Sequence, residues 1–314
     1  MDEREALSAV VYQKLIKYGL LSAGQEIYLW PCHAIAVRGK KYSHFIISGS
    51  KTARKFFLKV MKPNDCAPHC NEYLQKIRDN DGKCPYPIIL VPAFCFHDVY
   101  YYITNYVDGQ VLDMLPETLP EDFWGAIADK LRLRYNELLS IRAPHYSERG
   151  KFILDDCASI FLQKFAEKLR YPDIPLSEDK RRLAFDWCRV VMENCAFSEP
   201  TLLHMDIKPG NIVYDPARDS VSLIDFEFAR FGDADYGWTQ LLLSGINCFS
   251  SIYKKQIVPR VIRDRPTLQE ALNIPKYRCY LFYQLICNFI YYNRRKMRCP
   301  GEMTALFERL AGQL

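Results

Sequence analysis

The sequence predicts an α+β fold in two lobes: an N-terminal antiparallel sheet with one helix, then a mostly helical lobe that carries a β-hairpin. Two observations predict it. Residues 26–61 and 86–104 form short runs rich in β-branched and aromatic side chains bounded by Gly, Ser and Pro, the signature of strands joined by turns. Beyond Pro120 the apolar residues recur every three or four positions, the spacing of one helical face. Residues 204–228, HMDIKPGNIVYDPARDSVSLIDFEF, interrupt that pattern with a polar cluster followed by two short apolar runs. The Asp, Pro and Arg residues of 215–219 predict a turn between strands at 211–215 and 221–225.

In chain order, Ala6, Val10, Leu15 and Leu20 recur at roughly helical spacing, so an opening helix is expected over 4–21, ended by Gly24. Three strands should follow. The first takes in 27–30 and 35–37, and a turn at 39–41 leads to the second at 42–47. A turn at 48–51 then leads to the third at 54–61. On the third strand Phe57, Lys59 and Met61 share a face by period-two alternation. A helix over 68–78 carries Glu72, and strands at 86–91 and 99–104 complete the sheet. Asp108 and Gly109 turn the chain out of it, which divides the lobes as 1–106 and 107–314. Three core stripes follow. Phe123, Ile127, Leu131, Tyr135 and Leu138 form the first, in a helix opened by Pro120. Leu154, Ala158, Phe161, Phe165 and Leu169 form the second, and Leu183, Trp187, Val190 and Val191 the third. Helices are expected at 239–252, 277–293 and 303–314, with a mixed loop at 259–275.

The composition is ordinary for a globular chain, and 314 residues suffice for one two-lobed domain. A net charge of +5, with no long Lys/Arg block, argues against a nucleic-acid partner. The densest basic cluster, Arg294, Arg295, Lys296 and Arg298, reads as a solvated helix C-terminus. Twelve cysteines are scattered irregularly, several in apolar helical stretches (Cys188, Cys195, Cys287), and no leader-like run is read at the start. Reduced thiols and a cytoplasmic location are expected. Cys66, His69, Cys70 and Cys84 lack the second well-spaced pair that zinc requires. The apolar run 280–292 is too short for a bilayer and is interrupted by Gln284 and Asn288, so no membrane partner is expected.

The chemistry lies in the hairpin. It brings Asn211, at the start of one strand, near Asp225, at the end of its partner. A carboxylate and an amide oxygen side by side suit Mg²⁺, a hard cation that keeps some waters and takes other ligands from phosphates. Asp206, one short loop away, is placed to meet a hydroxyl approaching that phosphate. An H-x-D, an Asn five residues after the Asp, and a D-F dipeptide are the parts that phosphoryl transfer uses.

Asp225-Phe226 is followed by Glu227 rather than Gly, and Ala229 to Trp238 reads ARFGDADYGW, similar to a GDPxxDL stretch. No A-P-E and no long activation segment follow. On these residues the chain resembles the aminoglycoside-phosphotransferase and choline-kinase superfamily of small-molecule kinases, which have a protein-kinase-like fold. One departure is that the second aspartate of that stretch falls near Gly237, with Asp235 two residues early. The resemblance implies ATP or GTP with Mg²⁺ as cofactors, and a monomer or weak homodimer. It implies that Lys59 spans the α and β phosphates with Glu72 as its partner, and that Asn105 and Val107 present backbone groups to the purine. Ser43 stands in for a second glycine beside the turn that holds Gly39. Phe57 occupies the place over the base where a small residue is usual. Lys208 would meet the γ-phosphate beside the catalytic Asp206, and His204 would brace the loop.

The resemblance further implies a hydroxylated small molecule as acceptor. An antibiotic is the first expectation, with Glu227, Asp233 and Asp235 as carboxylates for a cationic substrate. A metabolic kinase of choline, an amino alcohol, a sugar or a nucleoside is the second. A protein kinase would need the missing A-P-E. A nucleotide-binding pseudokinase is the alternative of a different class, and Asp206 weighs against it, since a binding module needs no group to orient an acceptor.

Overall fold

The structure, a computed structural model, describes residues 2–37, 40–50, 52–77, 84–148, 151–248 and 250–313, and side chains among these except at 33–41 and 52–53. α1 (Glu3–Lys17) opens on a capping box, in which Asp2 accepts from the Arg4 N–H while Glu5 reaches back to the Asp2 N–H. It stops about two turns before Gly24, the expected end. Gly19 takes φ +66° and the Leu20 N–H returns to the Leu15 carbonyl, which closes the helix earlier.

The sheet runs β1 (Ile27–Val37), β2 (Lys40–Gly49), β3 (Thr52–Val60), β4 (Ile89–Phe96) and β5 (Val99–Asn105), in the spatial order β1-β2-β3-β5-β4. β1 is one strand rather than two pieces, because a register shift between Pro31 and His33 absorbs the proline. The turn residue Gly39 lies outside the described residues. β4 begins three residues later than expected. Tyr86 leaves the sheet, buries its ring in the helical core and donates its hydroxyl to Glu137 at 2.5 Å. His97 and Asp98, both with positive φ, close a two-residue β4–β5 hairpin. α2 (Ala67–Leu74) lies between β3 and β4 in the chain and is shorter than predicted.

β6 (Gln110–Val111) pairs with the hairpin strand β10 (Ile212–Asp215), which pairs in turn with β11 (Ser220–Leu223). Before the hairpin come α3 (Glu121–Ser140), β7 (Tyr146–Glu148), β8 (Lys151–Ile153), α4 (Cys157–Leu169), α5 (Glu178–Glu193) and β9 (Thr201–Leu203). After it come β12 (Arg230–Gly232), paired with β9, then α6 (Ala234–Asn247), α7 (Val258–Val261), α8 (Leu268–Ala271), α9 (Pro275–Arg294) and α10 (Gly301–Ala311).

The α3 stripe packs as its spacing predicts, with Ile127, Leu131, Tyr135 and Leu138 buried and Phe123 half-buried. Two other stripes are corrected. Leu154 precedes α4 and is exposed, because Asp156 caps the helix at Cys157. On α5 the buried line is Ala184, Cys188 and Met192, whereas Leu183 and Val190 face outward. Two of these three side chains are small, so apolar bulk alone did not reveal which side faced in. The expected loop at 259–275 is partly helical. A π-helical turn at Tyr253–Ile257 runs without a break into α7, which carries Pro259. α9 is buried around most of its circumference and is the central post of the helical part.

Two apolar cores result. One joins α1 to the sheet through Leu7, Val11, Leu15, Ile47, Phe56 and Leu58, and the other fills the helical part and takes in Cys70 and Leu74 of α2. Among the described residues, no helix is long and apolar enough to cross a membrane.

Candidate active site

Burial forces the geometry of the loop after β9. His204 is 1% exposed, so both of its ring nitrogens need partners. Nδ1 accepts from the Asp206 N–H at 3.3 Å, and Nε2–H donates to the Ile224 carbonyl at 2.8 Å. A peptide N–H can only donate and a carbonyl only accept, so the ring is the neutral Nε2–H tautomer. Burial agrees, since it lowers the His204 pKa. The imidazole therefore ties the loop carrying Asp206 to the strand end that precedes Asp225. Tyr253 adds a second brace by donating its hydroxyl to the Ile207 carbonyl at 2.9 Å.

The hairpin register sets Ile212 opposite Leu223, and the Ile224 N–H donates to the Asn211 carbonyl at 2.9 Å. Asn211 and the residue before Asp225 are thus bonded neighbours. Asp225 itself takes φ +68°, a left-handed bend that turns the chain into a 3-10 turn over Phe226–Phe228. Asn211 commits its amide nitrogen to Asp206, which leaves its oxygen available. With the Asp225 carboxylate, this makes a pair of hard oxygen donors of the kind that Mg²⁺ takes when phosphates supply other ligands. Lys208 sits beside Asp206, with Nζ 2.7 Å from Oδ2.

Across from the hairpin, the Lys59 ammonium is ion-paired with Asp225 and lies 4.0 Å from a Glu227 oxygen. Burial works against charge on Lys59, but the carboxylates of Asp225, Asp65 and Glu227 outweigh it and raise its pKa. For Asp225 too burial disfavours ionisation, and the Lys59 charge overcomes it, so that carboxyl stays below its ordinary range. Glu227 shows the opposite balance. Burial and the neighbouring Asp225 push it up against the pull of Lys62 and Lys59.

Residues 45–244 match the phosphotransferase enzyme family, well over half of the chain. The chain belongs to that family. It is a phosphotransferase, and solved structures agree on a kinase-like fold. An apo thermostable variant of the aminoglycoside phosphotransferase APH(4)-Ia aligns at 16% identity with a TM-score of 0.62, covering 95% of this chain and 97% of that one. A ternary complex of that enzyme with AMP-PNP and hygromycin B aligns at 14% identity with a TM-score of 0.61, covering 91% and 93%. The GDP and kanamycin complex of APH(2")-IIIa aligns at 16% identity with a TM-score of 0.54, covering 97% and 99%. Among curated proteins, none matches this sequence.

In this phosphotransferase Asp206, Lys208, Asn211, Asp225 and Lys59 converge. Other expected site residues stand elsewhere. Glu72 is exposed on α2, whose buried residues are Cys70 and Leu74, so the expected Lys59–Glu72 pair is replaced by Lys59 with Asp225 and Glu227. Asp233 is buried, accepts from Ser198 and Tyr280, and pairs with Lys276 of α9 at 2.8 Å. Asp235 accepts from the same lysine at 2.9 Å and from Tyr277 at 2.8 Å. Both are spent inside the fold and are withdrawn as substrate carboxylates. Glu227 faces Lys59 and Lys62. Ser43 lies within β2 opposite Ala34, past the turn. Asn105 ends β5, where its amide clamps Tyr86 and Ile88, and Val107 follows in the irregular segment before β6. Lys62 was missed by sequence reasoning; the apolar run around Lys59 set that lysine apart, and nothing comparable marks Lys62.

Proposed function

We propose that this chain transfers the terminal phosphate of ATP or GTP to a hydroxyl group of a small molecule, with an antibiotic as the first acceptor class. The observation that carries the transfer chemistry is the convergence of Asp206, Asn211 and Asp225 at one hairpin end, facing Lys59. Asp225 and the Asn211 amide oxygen would hold Mg²⁺, whose charge would offset that of the phosphates. Lys59 would hold the α and β phosphates, and the backbone around Asn105 and Val107 would meet the purine. Asp206 would orient the acceptor hydroxyl and take its proton as the oxygen bonds to the γ-phosphorus. The bond from that phosphorus to the bridging oxygen breaks, and the nucleoside diphosphate leaves. Lys208, beside Asp206, would meet the transferring phosphoryl group. Most of the acceleration would come from positioning and charge.

The antibiotic reading draws support from aminoglycoside-bound neighbours such as the hygromycin B complex. A second reading, a metabolic alcohol of lower charge, is favoured by Asp233 and Asp235, which are neutralised internally by Lys276 rather than offered to a polycation. The test is an assay of ADP and GDP release with Mg²⁺ across aminoglycosides, choline, amino alcohols, sugars and nucleosides. Turnover with one aminoglycoside supports the first reading, and turnover with only a metabolic alcohol supports the second. Nucleotide binding without turnover on any alcohol points to a pseudokinase.

A further inference from the structure

We infer that Glu227 is the standing partner of Lys59, a positioning residue that keeps the lysine ammonium in place once Asp225 is given over to a cation. This rests on the reading of Lys59 as a phosphate clamp given above. In the structure Asp225 pairs with Lys59, yet the same carboxylate is the charged member of the cation-binding pair. The two uses compete. A buried ammonium that loses its counter-ion is costly unless another carboxylate takes over.

Three further carboxylates lie near in the fold or were expected there. Asp65 adds to the negative field at Lys59 from farther off than ion-pair distance, with Oδ1 held by the Ala67 N–H at 2.9 Å and Oδ2 by the Tyr102 hydroxyl at 3.0 Å. Glu72 is exposed, on a helix that turns Cys70 and Leu74 inward. Glu227 remains, 4.0 Å from the Lys59 ammonium and itself buried. Its position is fixed from two sides. Its carbonyl accepts from the Cys66 N–H at 2.9 Å, and Lys62 holds its carboxylate at 2.7 Å. The 3-10 turn after the left-handed Asp225 delivers it there, so one short bend supplies both the cation ligand and the lysine's second counter-ion. Lys62 holds the Glu227 carboxylate in that place.

A double-mutant cycle read by equilibrium binding of a fluorescent nucleoside diphosphate with Mg²⁺ tests this. Glu227→Gln should weaken binding roughly 10-fold or more, in the range seen when a residue orienting a ligand-contacting group is lost. In a Lys59→Met background the same change should have almost no effect. If Glu227→Gln does not fold, Glu227→Asp, which keeps the charge but draws it back from Lys59, is measured in the same two backgrounds. Equal losses in both backgrounds would overturn the inference, because Glu227 would then touch cation or nucleotide directly. Coupling of Lys59 to Glu72→Gln instead would also overturn it. Failure of the wild-type chain to bind nucleotide would remove the inference together with the functional reading. Normal binding without transfer to any alcohol would remove only the acceptor chemistry.

Discussion

Asn211 donates its side-chain amide to Asp206 twice, to the carbonyl oxygen at 2.8 Å and to Oδ2 at 2.9 Å. One side chain therefore fixes the Asp206 carboxylate with its nitrogen and keeps its oxygen out of that contact. Asn211→Ala should lower both turnover and apparent Mg²⁺ affinity, by roughly 10–100-fold, since ligand orientation and metal binding are lost together. Turnover measured across a Mg²⁺ titration checks this. An unchanged Mg²⁺ midpoint would separate the two roles and refute the joint one.

Asp206 has a different signature. Its oxygens meet Asn211 and Lys208, whereas Lys59 and Asp225 form their own pair. Asp206→Ala should therefore reduce transfer by roughly 10²–10⁴-fold, the usual worth of a positioned base, and leave nucleotide affinity within a few-fold of wild type. Kinetics paired with equilibrium nucleotide binding give both numbers. Near-normal turnover would rule out the assignment.

Buried neutral His204 links the site to acidity. In the unfolded chain the imidazole takes up a proton as pH falls through about 6.5, while in the fold burial lowers its pKa. Between those two values the unfolded state binds more protons, so stability rises with pH there and its His204 part is complete above about 6.5. Urea unfolding at pH 7.5 and pH 5.5 should show wild type losing more stability on acidification than His204→Gln. Equal losses would mean that the ring is protonated in the fold.

Lys276 holds the network that took Asp233 and Asp235 away from the substrate side. Its ammonium meets Asp233 at 2.8 Å, Asp235 at 2.9 Å and the Ala196 carbonyl at 2.8 Å. Lys276→Met would leave the Asp233 carboxylate buried without its cation, at a cost of about 3–5 kcal/mol. Denaturant midpoints measure it. Lys276→Met with Asp233→Asn should recover much of the loss, and no recovery would place the damage in packing instead.

The hairpin was readable because its information is local. Turn residues set the strand ends, and pairing alone brings Asn211 to Asp225. The sheet was readable for the same reason, apart from Tyr86, whose destination depends on Glu137 of a helix far along the chain. The Lys59 partner was not readable. Its expected place on α2 depended on which way an eight-residue helix faces, and Cys70 and Leu74 decided that by packing into the helical core. Asp233 and Asp235 misled for a related reason, since Lys276, about forty residues later, claims both. β6, β7, β8, β9 and β12 are two or three residues each, too short for alternation to register.

Gly109 joins the exit from the sheet to the back of the hairpin, and a pair of glycines can isolate what it does. Its φ is +123°, and a Cβ there would lie 2.3 Å from the Tyr214 carbonyl oxygen and 2.9 Å from Cγ1 of Val213. Gly24 also has positive φ, +82°, but nothing lies within 4 Å of its Cβ position. Gly24→Ala should thus cost only backbone strain, about 1–3 kcal/mol. Gly109→Ala should add a clash with hairpin backbone that cannot rotate away, for a further 1–3 kcal/mol or so. It should also lower turnover, because β6 pairs with β10 through Val111–Val213 and Gln110–Tyr214, and β10 begins directly after Asn211. Urea unfolding and steady-state kinetics on both variants decide the matter. Gly109→Ala with the stability and turnover of Gly24→Ala would mean that the hairpin yields without disturbing Asn211.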